Sequence, residues 1–130
     1  MRGIKGIHIL LDLYGCDAKL LDDTIFLNHL ISKAISESGL KSFGTLYHKF
    51  NPIGYTSVTL LATSHISIHT WPEYGYVAID IFACDNHDKA LKAADIIIKH
   101  LKPKRVKRTI RLRGYIVKKE EVLSDREGRG

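Results

Sequence analysis

The chain has 130 residues, which suits one domain with one proper core. Hydrophobic residues make up 45% and charged residues 26%, ordinary values for a globular protein, and no apolar run approaches the roughly 18 residues that a membrane span needs. The formal charge of +6 is uneven, with Lys99, Lys102, Lys104, Arg105, Lys107, Arg108, Arg111 and Arg113 close together, and this stripe reads as a solvated face before it reads as a nucleic-acid surface.

Arg2 and Lys5 precede apolar positions, as in a secretory leader. His8 and Asp12 interrupt that run and no small-residue cleavage site follows, so the expected location is cytoplasmic. Ile7, Ile9, Leu11 and Leu13 alternate with His8, Leu10, Asp12 and Tyr14, the period of a strand with one apolar face. Asp22-Asp23-Thr24 is a helix-start signal. Phe26, Leu27, Leu30, Ile31, Ala34 and Ile35 then recur at helical spacing as far as a stop at Gly39. Lys41 to Phe50 reads as a second strand and Asn51-Pro52-Ile53-Gly54 as a turn. Tyr55 to Ile68 reads as a third strand, long for one element. Trp71 to Gly75 breaks the pattern before a fourth strand, Tyr76 to Cys84.

His87-Asp88 opens a second helix with an apolar stripe at Ala90, Leu91, Ala94, Ile97, Ile98 and Leu101, and Pro103 lies just past its end. Arg105 to Arg111 reads as a short last strand, and residues 124–130 as a disordered tail. Cys16 and Cys84 match no zinc spacing, so neither a metal site nor a disulfide is expected. No linker divides the chain. The element order predicts a single α/β (α+β) domain over residues 1–130, a two-layer sandwich of a mostly antiparallel sheet with two helices on one face.

Two helices cover one face of a sheet. Val77, Ile79, Ile81 and Ala83 should lie beneath them, which leaves Tyr76, Asp80, Phe82 and Cys84 on the other face with His8, Leu10 and Asp12. A face that mixes apolar and ionisable groups suits an active site, a subunit interface, or both.

Four segments then stand out: Leu13-Tyr14-Gly15-Cys16-Asp17, His48-Lys49-Phe50, Ser64-His65-Ile66-Ser67-Ile68-His69-Thr70-Trp71-Pro72-Glu73 and Asp80-Ile81-Phe82-Ala83-Cys84. Together they resemble the small prokaryotic S-adenosylmethionine decarboxylases, pyruvoyl-dependent enzymes that cleave themselves. The resemblance implies that Ser64 attacks the carbonyl of Thr63, and that elimination and hydrolysis leave a β chain, residues 1–63, and an α chain that begins with pyruvoyl at position 64. The pyruvoyl ketone is then the only cofactor; it forms a Schiff base with the substrate amine and acts as the electron sink for decarboxylation.

The resemblance makes His69 the processing base, since an imidazole suits proton abstraction at neutral pH. It makes Cys84 the proton donor to the substrate carbon, and Thr56 a processing-assisting hydroxyl. Phe50 and Glu73 become contacts to a small-molecule substrate, Phe50 by a cation–π approach to the sulfonium or by stacking on adenine. Taken singly, each has a plainer reading: His69 bonded at a strand end, Cys84 and Phe50 as core, Glu73 as a loop carboxylate. Cys16 reads as structural. His65 should face away from Ser64 by alternation and receives no role.

Thr63 stands where the family has glutamate, Thr56 where it has serine, and Asp85 where it has glycine. The family's small members assemble as homodimers in which the partner completes each site, so a homodimer of cleaved protomers is expected. The product would be the aminopropyl donor for spermidine. The nearest rival is a pyruvoyl-dependent arginine decarboxylase of the same family, which lacks the Tyr-Gly-Cys segment present here at Tyr14-Gly15-Cys16. Two further readings are a processed but inactive paralogue and a basic RNA-binding module, though the module leaves Ser64 to Glu73 unexplained and nucleic acid is not the expected partner.

Overall fold

The computed structural model describes residues 5–84 and 87–114. The tail from 124 and Asp85 lie outside the described residues. Six strands form one sheet, β1 (Gly6–Tyr14), β2 (Ser42–Lys49), β3 (Tyr55–Leu61), β4 (Ser64–Trp71), β5 (Tyr76–Cys84) and β6 (Arg105–Arg113). Their order across the sheet is β2-β3-β4-β5-β1-β6, and every neighbouring pair is antiparallel. Helices α1 (Ala18–Leu21), α2 (Thr24–Ser38) and α3 (His87–Leu101) complete the domain, with a 3-10 turn at Pro72–Tyr74.

The helix ends follow from local chemistry. Asp23 caps α2 by accepting the Phe26 N–H, and Gly39 ends it at φ 86°, where a Cβ would be strained. Leu27, Leu30, Ile31, Ala34 and Ile35 of α2 are buried with Ala90, Ala93, Ala94, Ile97 and Leu101 of α3. Beneath them lie Ile7, Ile9, Leu11 and Leu13 of β1 and Val77, Ile79, Ile81 and Ala83 of β5, all essentially inaccessible to solvent. The predicted two-layer arrangement therefore holds, with the single core between the helices and one face of the sheet.

The expected third strand is two. Residues buried on the helix side are odd-numbered in β3 (Tyr55, Ser57, Thr59, Leu61) and even-numbered in β4 (Ile66, Ile68, Thr70). A continuous strand cannot change parity without losing half its core contacts, so the chain reverses at Ala62-Thr63 and β4 pairs back along β3. The turn is held where Ala62 N–H donates to Lys41 C=O at 2.8 Å and Cys84 N–H to Thr63 C=O at 3.3 Å. The four-residue α1, which periodicity does not anticipate, is capped by Asp17, whose carboxylate accepts the Lys19 N–H. The last strand runs two residues beyond the expected Arg111, to Arg113, along β1.

Candidate active site

The sheet face away from the helices carries the ionisable groups. At its centre Ser67 donates to Asp80 Oδ2 at 3.2 Å, and His8 Nε2 lies 3.2 Å from Asp80 Oδ1. Tyr76 donates its phenol proton to Asp12. Burial and the Asp12 carboxylate raise the Tyr76 pKa well above the ordinary phenol value, so Tyr76 stays a donor across the physiological range. Tyr76 is also sandwiched between Tyr14 and Trp71, with ring centroids 5.1 and 5.2 Å away. Leu46, Val58 and Leu60 extend this face as exposed apolar surface toward the β2 edge.

The candidate residues fall at two ends of the sheet. At one end, Thr56 Oγ1 and His69 Nδ1 are 2.6 Å apart across the β3–β4 pair. Phe50, Thr56, His69, Trp71 and Glu73 line a cavity of about 600 Å³. Phe50 is not core; it is half exposed, with His48 edge-on to its ring at 4.7 Å. Its loop is tied down by Asp22, which accepts from Gly54 N–H at 2.8 Å and pairs with Lys49 Nζ at 2.7 Å. The Gly54 N–H and then Lys49 lower the Asp22 pKa below the usual carboxylate range.

At the other end, Ser64 opens β4 opposite Ala83 of β5, one residue from Cys84. The Thr63 carbonyl, the one a Ser64 attack would need, accepts the Cys84 backbone N–H. Ser64 Oγ is 3.4 Å from His65 Nδ1, although the register pairs Ser64 with Ala83 on the helix side and His65 with Phe82 on the open side. Cys84 is a half-exposed free thiol, whereas burial raises the pKa of Cys16 and keeps it protonated. Cys16 has a structural place: its N–H donates to Gly75 C=O at 3.0 Å, which docks the Tyr14-Gly15-Cys16 segment on the Trp71–Tyr76 segment.

Ser64 and His69 thus sit five residues apart along one extended strand, roughly 17 Å at about 3.4 Å per residue. Trp71 and His65 are the site residues that sequence reasoning left without a role. Trp71 was legible as the chain's sole tryptophan beside His69, and His65 only as the neighbour of Ser64. The basic stripe runs along the exposed edge strand β6, where Arg108 pairs with Asp95 of α3 at 2.8 Å and Arg113 stacks over Phe82 at 5.0 Å. Among the described residues no group of histidine, cysteine and carboxylate ligands could hold a metal ion, and no helix is long and apolar enough to cross a membrane.

The family model described as S-adenosylmethionine decarboxylase matches residues 7–114. The S-adenosylmethionine decarboxylase proenzyme of Sulfurihydrogenibium sp. (strain YO3AOP1) is 47% identical over 116 residues, 89% of this chain and 87% of that protein. The protein of the same name from Picrophilus torridus is 40% identical over 125 residues, 96% of each chain. The crystal structure of the adenosylmethionine decarboxylase from Aquifex aeolicus VF5 superposes with a TM-score of 0.84 at 43% identity, over 89% of this chain and 95% of that one. On the family match and these identities, the chain belongs to the S-adenosylmethionine decarboxylase family.

Proposed function

We propose that this chain is a proenzyme that cuts itself at Thr63-Ser64 and then decarboxylates S-adenosylmethionine, yielding the aminopropyl donor for spermidine. The observation that carries this reading is the geometry at the turn: Ser64 follows the scissile carbonyl directly, and that carbonyl already accepts the Cys84 N–H. An N–H aimed at a carbonyl stabilises the oxyanion that forms when the hydroxyl adds, an effect worth about 3–4 kcal/mol at a well-made site.

The residues fit a pyruvoyl group generated at position 64. The group supplies an electrophilic ketone that draws electron density from the carbon losing carbon dioxide. Around it the chain's own residues bind, orient and move protons. Phe50 and Trp71 offer aromatic walls to an adenine and a sulfonium, and Glu73 an acceptor for ribose hydroxyls. The Cys84 thiol, at the Ser64 end of the sheet, is the proton donor to the substrate carbon.

The roughly 17 Å between Ser64 and His69 supports a homodimer, because proton abstraction needs contact near 3 Å. Two copies packed open face to open face, about a two-fold axis crossing the strands near Ser67, would bring Ser64 of each protomer to the Thr56–His69 end of the other. The same packing would cover Leu46, Val58 and Leu60. Arginine is the rival substrate. The relatives reported above bear the S-adenosylmethionine name, which supports the first choice.

The test is denaturing mass spectrometry of the purified protein, followed by assay of carbon dioxide release. The expected result is two chains of roughly 7 kDa, by the usual ~110 Da per residue, with no free amine on the second, and turnover of S-adenosylmethionine. An intact chain after prolonged incubation, or turnover of arginine alone, overturns the reading.

A further inference from the structure

We infer that His65 is the proton shuttle for the first step of self-cleavage, acting within the same chain as Ser64. The inference rests on the proposed self-cleavage and assigns a step that His69 does not reach within its own chain. Ser64 Oγ is 3.4 Å from His65 Nδ1, long for a hydrogen bond but within the range that tightens as a reaction begins. The His65 ring is half-buried and tilted against the Phe82 ring, with centroids 6.1 Å apart.

The step balances without any outside reagent. Ser64 Oγ–H gives its proton to His65 Nδ1 as Oγ bonds to the Thr63 carbonyl carbon, whose oxygen is already held by the Cys84 N–H. The carbon–nitrogen bond between Thr63 and Ser64 then breaks, and the imidazolium returns the proton to the departing nitrogen. The result is a Thr63 ester of Ser64 and a free Ser64 amine, with His65 neutral again. Nucleophile and leaving group belong to one residue, so a single imidazole beside that residue can serve both. The division of labour that follows is acyl shift in one chain, with removal of the Ser64 α-hydrogen by His69 as a separate event.

The two events are separable by experiment. In a His69→Ala background the ester should persist, and hydroxylamine should split it between Thr63 and Ser64, with the second chain keeping an intact serine. At hydroxylamine concentrations where the rate no longer rises, that rate reads the acyl shift alone. Adding His65→Asn, or His65→Gln as a second variant, should slow it at least about 10-fold with the melting temperature unchanged. Free imidazole should restore part of the rate to His65→Ala, which a purely structural role would not allow. A folded His65 variant that cleaves within about twofold of the background overturns the inference. No hydroxylamine cleavage in the His69→Ala background itself would instead refute self-cleavage through an ester.

Discussion

Thr56 and His69 face each other across the β3–β4 pair, with Thr56 Oγ1 2.6 Å from His69 Nδ1. That contact fixes which ring nitrogen is engaged and leaves the other free to act outward. Replacing Thr56 with valine keeps the shape and removes the hydroxyl. Processing should slow by about 10-fold, part of the 10²–10⁴ that a well-placed base supplies, while Thr56→Ser should stay near the parent rate. A time course of chain cleavage on denaturing gels reads the difference.

The spacing of Ser64 and His69 makes a sharper prediction. Neither Ser64→Ala nor His69→Ala should process alone. Mixed in one cell, they should form dimers in which one site has lost both groups and the other retains both. Cleavage should then return in the His69→Ala chain only. Mass spectrometry of differently tagged chains checks it, and continued silence in the mixture would mean that His69 works on its own chain.

Cys84 donates its backbone N–H to the Thr63 carbonyl and its thiol is the proposed proton donor; alanine removes only the thiol. Cys84→Ala should therefore cleave at close to the parent rate yet lose at least about 100-fold in turnover, by the usual weight of a lost general acid. Comparing chain cleavage with carbon dioxide release on the same preparation separates the two.

Asp22 links acidity to the Phe50 loop. Its pKa is lowered in the folded chain by the Gly54 N–H and Lys49, so its contribution to stability is full above the ordinary carboxylate value and is lost as pH falls through the lowered one. Asp22→Asn should cost on the order of 0.5–1 kcal/mol at pH 7, and the gap to the parent should start to narrow only below about pH 4 and vanish below the lowered pKa. Urea titrations at the two pH values measure this.

Gly75 has φ +61°, and a Cβ there would come within 3.0 Å of the Cys16 carbonyl oxygen. Gly75→Ala should destabilise the fold by about 1–3 kcal/mol through backbone strain alone. Thermal melts would show a drop of several degrees, with the aromatic stack around Tyr76 loosened first.

Much of this was readable from residue order, for reasons that differ by element. The alternation in β1 and β5 is strong because each strand is buried on one face only, and the Asp23 and Gly39 signals act locally. The β3–β4 reversal was obscured because Ala62-Thr63 carries neither glycine nor proline, and only the parity change between Leu61 and Ile66 marks it. The motif named the site residues through family resemblance. Read as one strand with β3, the segment does not place Ser64 and His69 at opposite ends of a strand of their own. The contact of His65 with Ser64 is not legible from alternation, which sends neighbouring side chains to opposite faces.

The hairpin at Ala62-Thr63 also bears on how the protein is made. In the uncut chain β3 and β4 are the most local pair in the sheet, so their association is fast and independent of concentration. Once the bond at Thr63-Ser64 is broken, the same ladder joins two separate polypeptides. Melting of the processed protein should then shift upward with protein concentration, and denatured fragments must find each other to refold. If the chain cuts itself as proposed, folding as one polypeptide comes first, and any later refolding is an encounter between two chains.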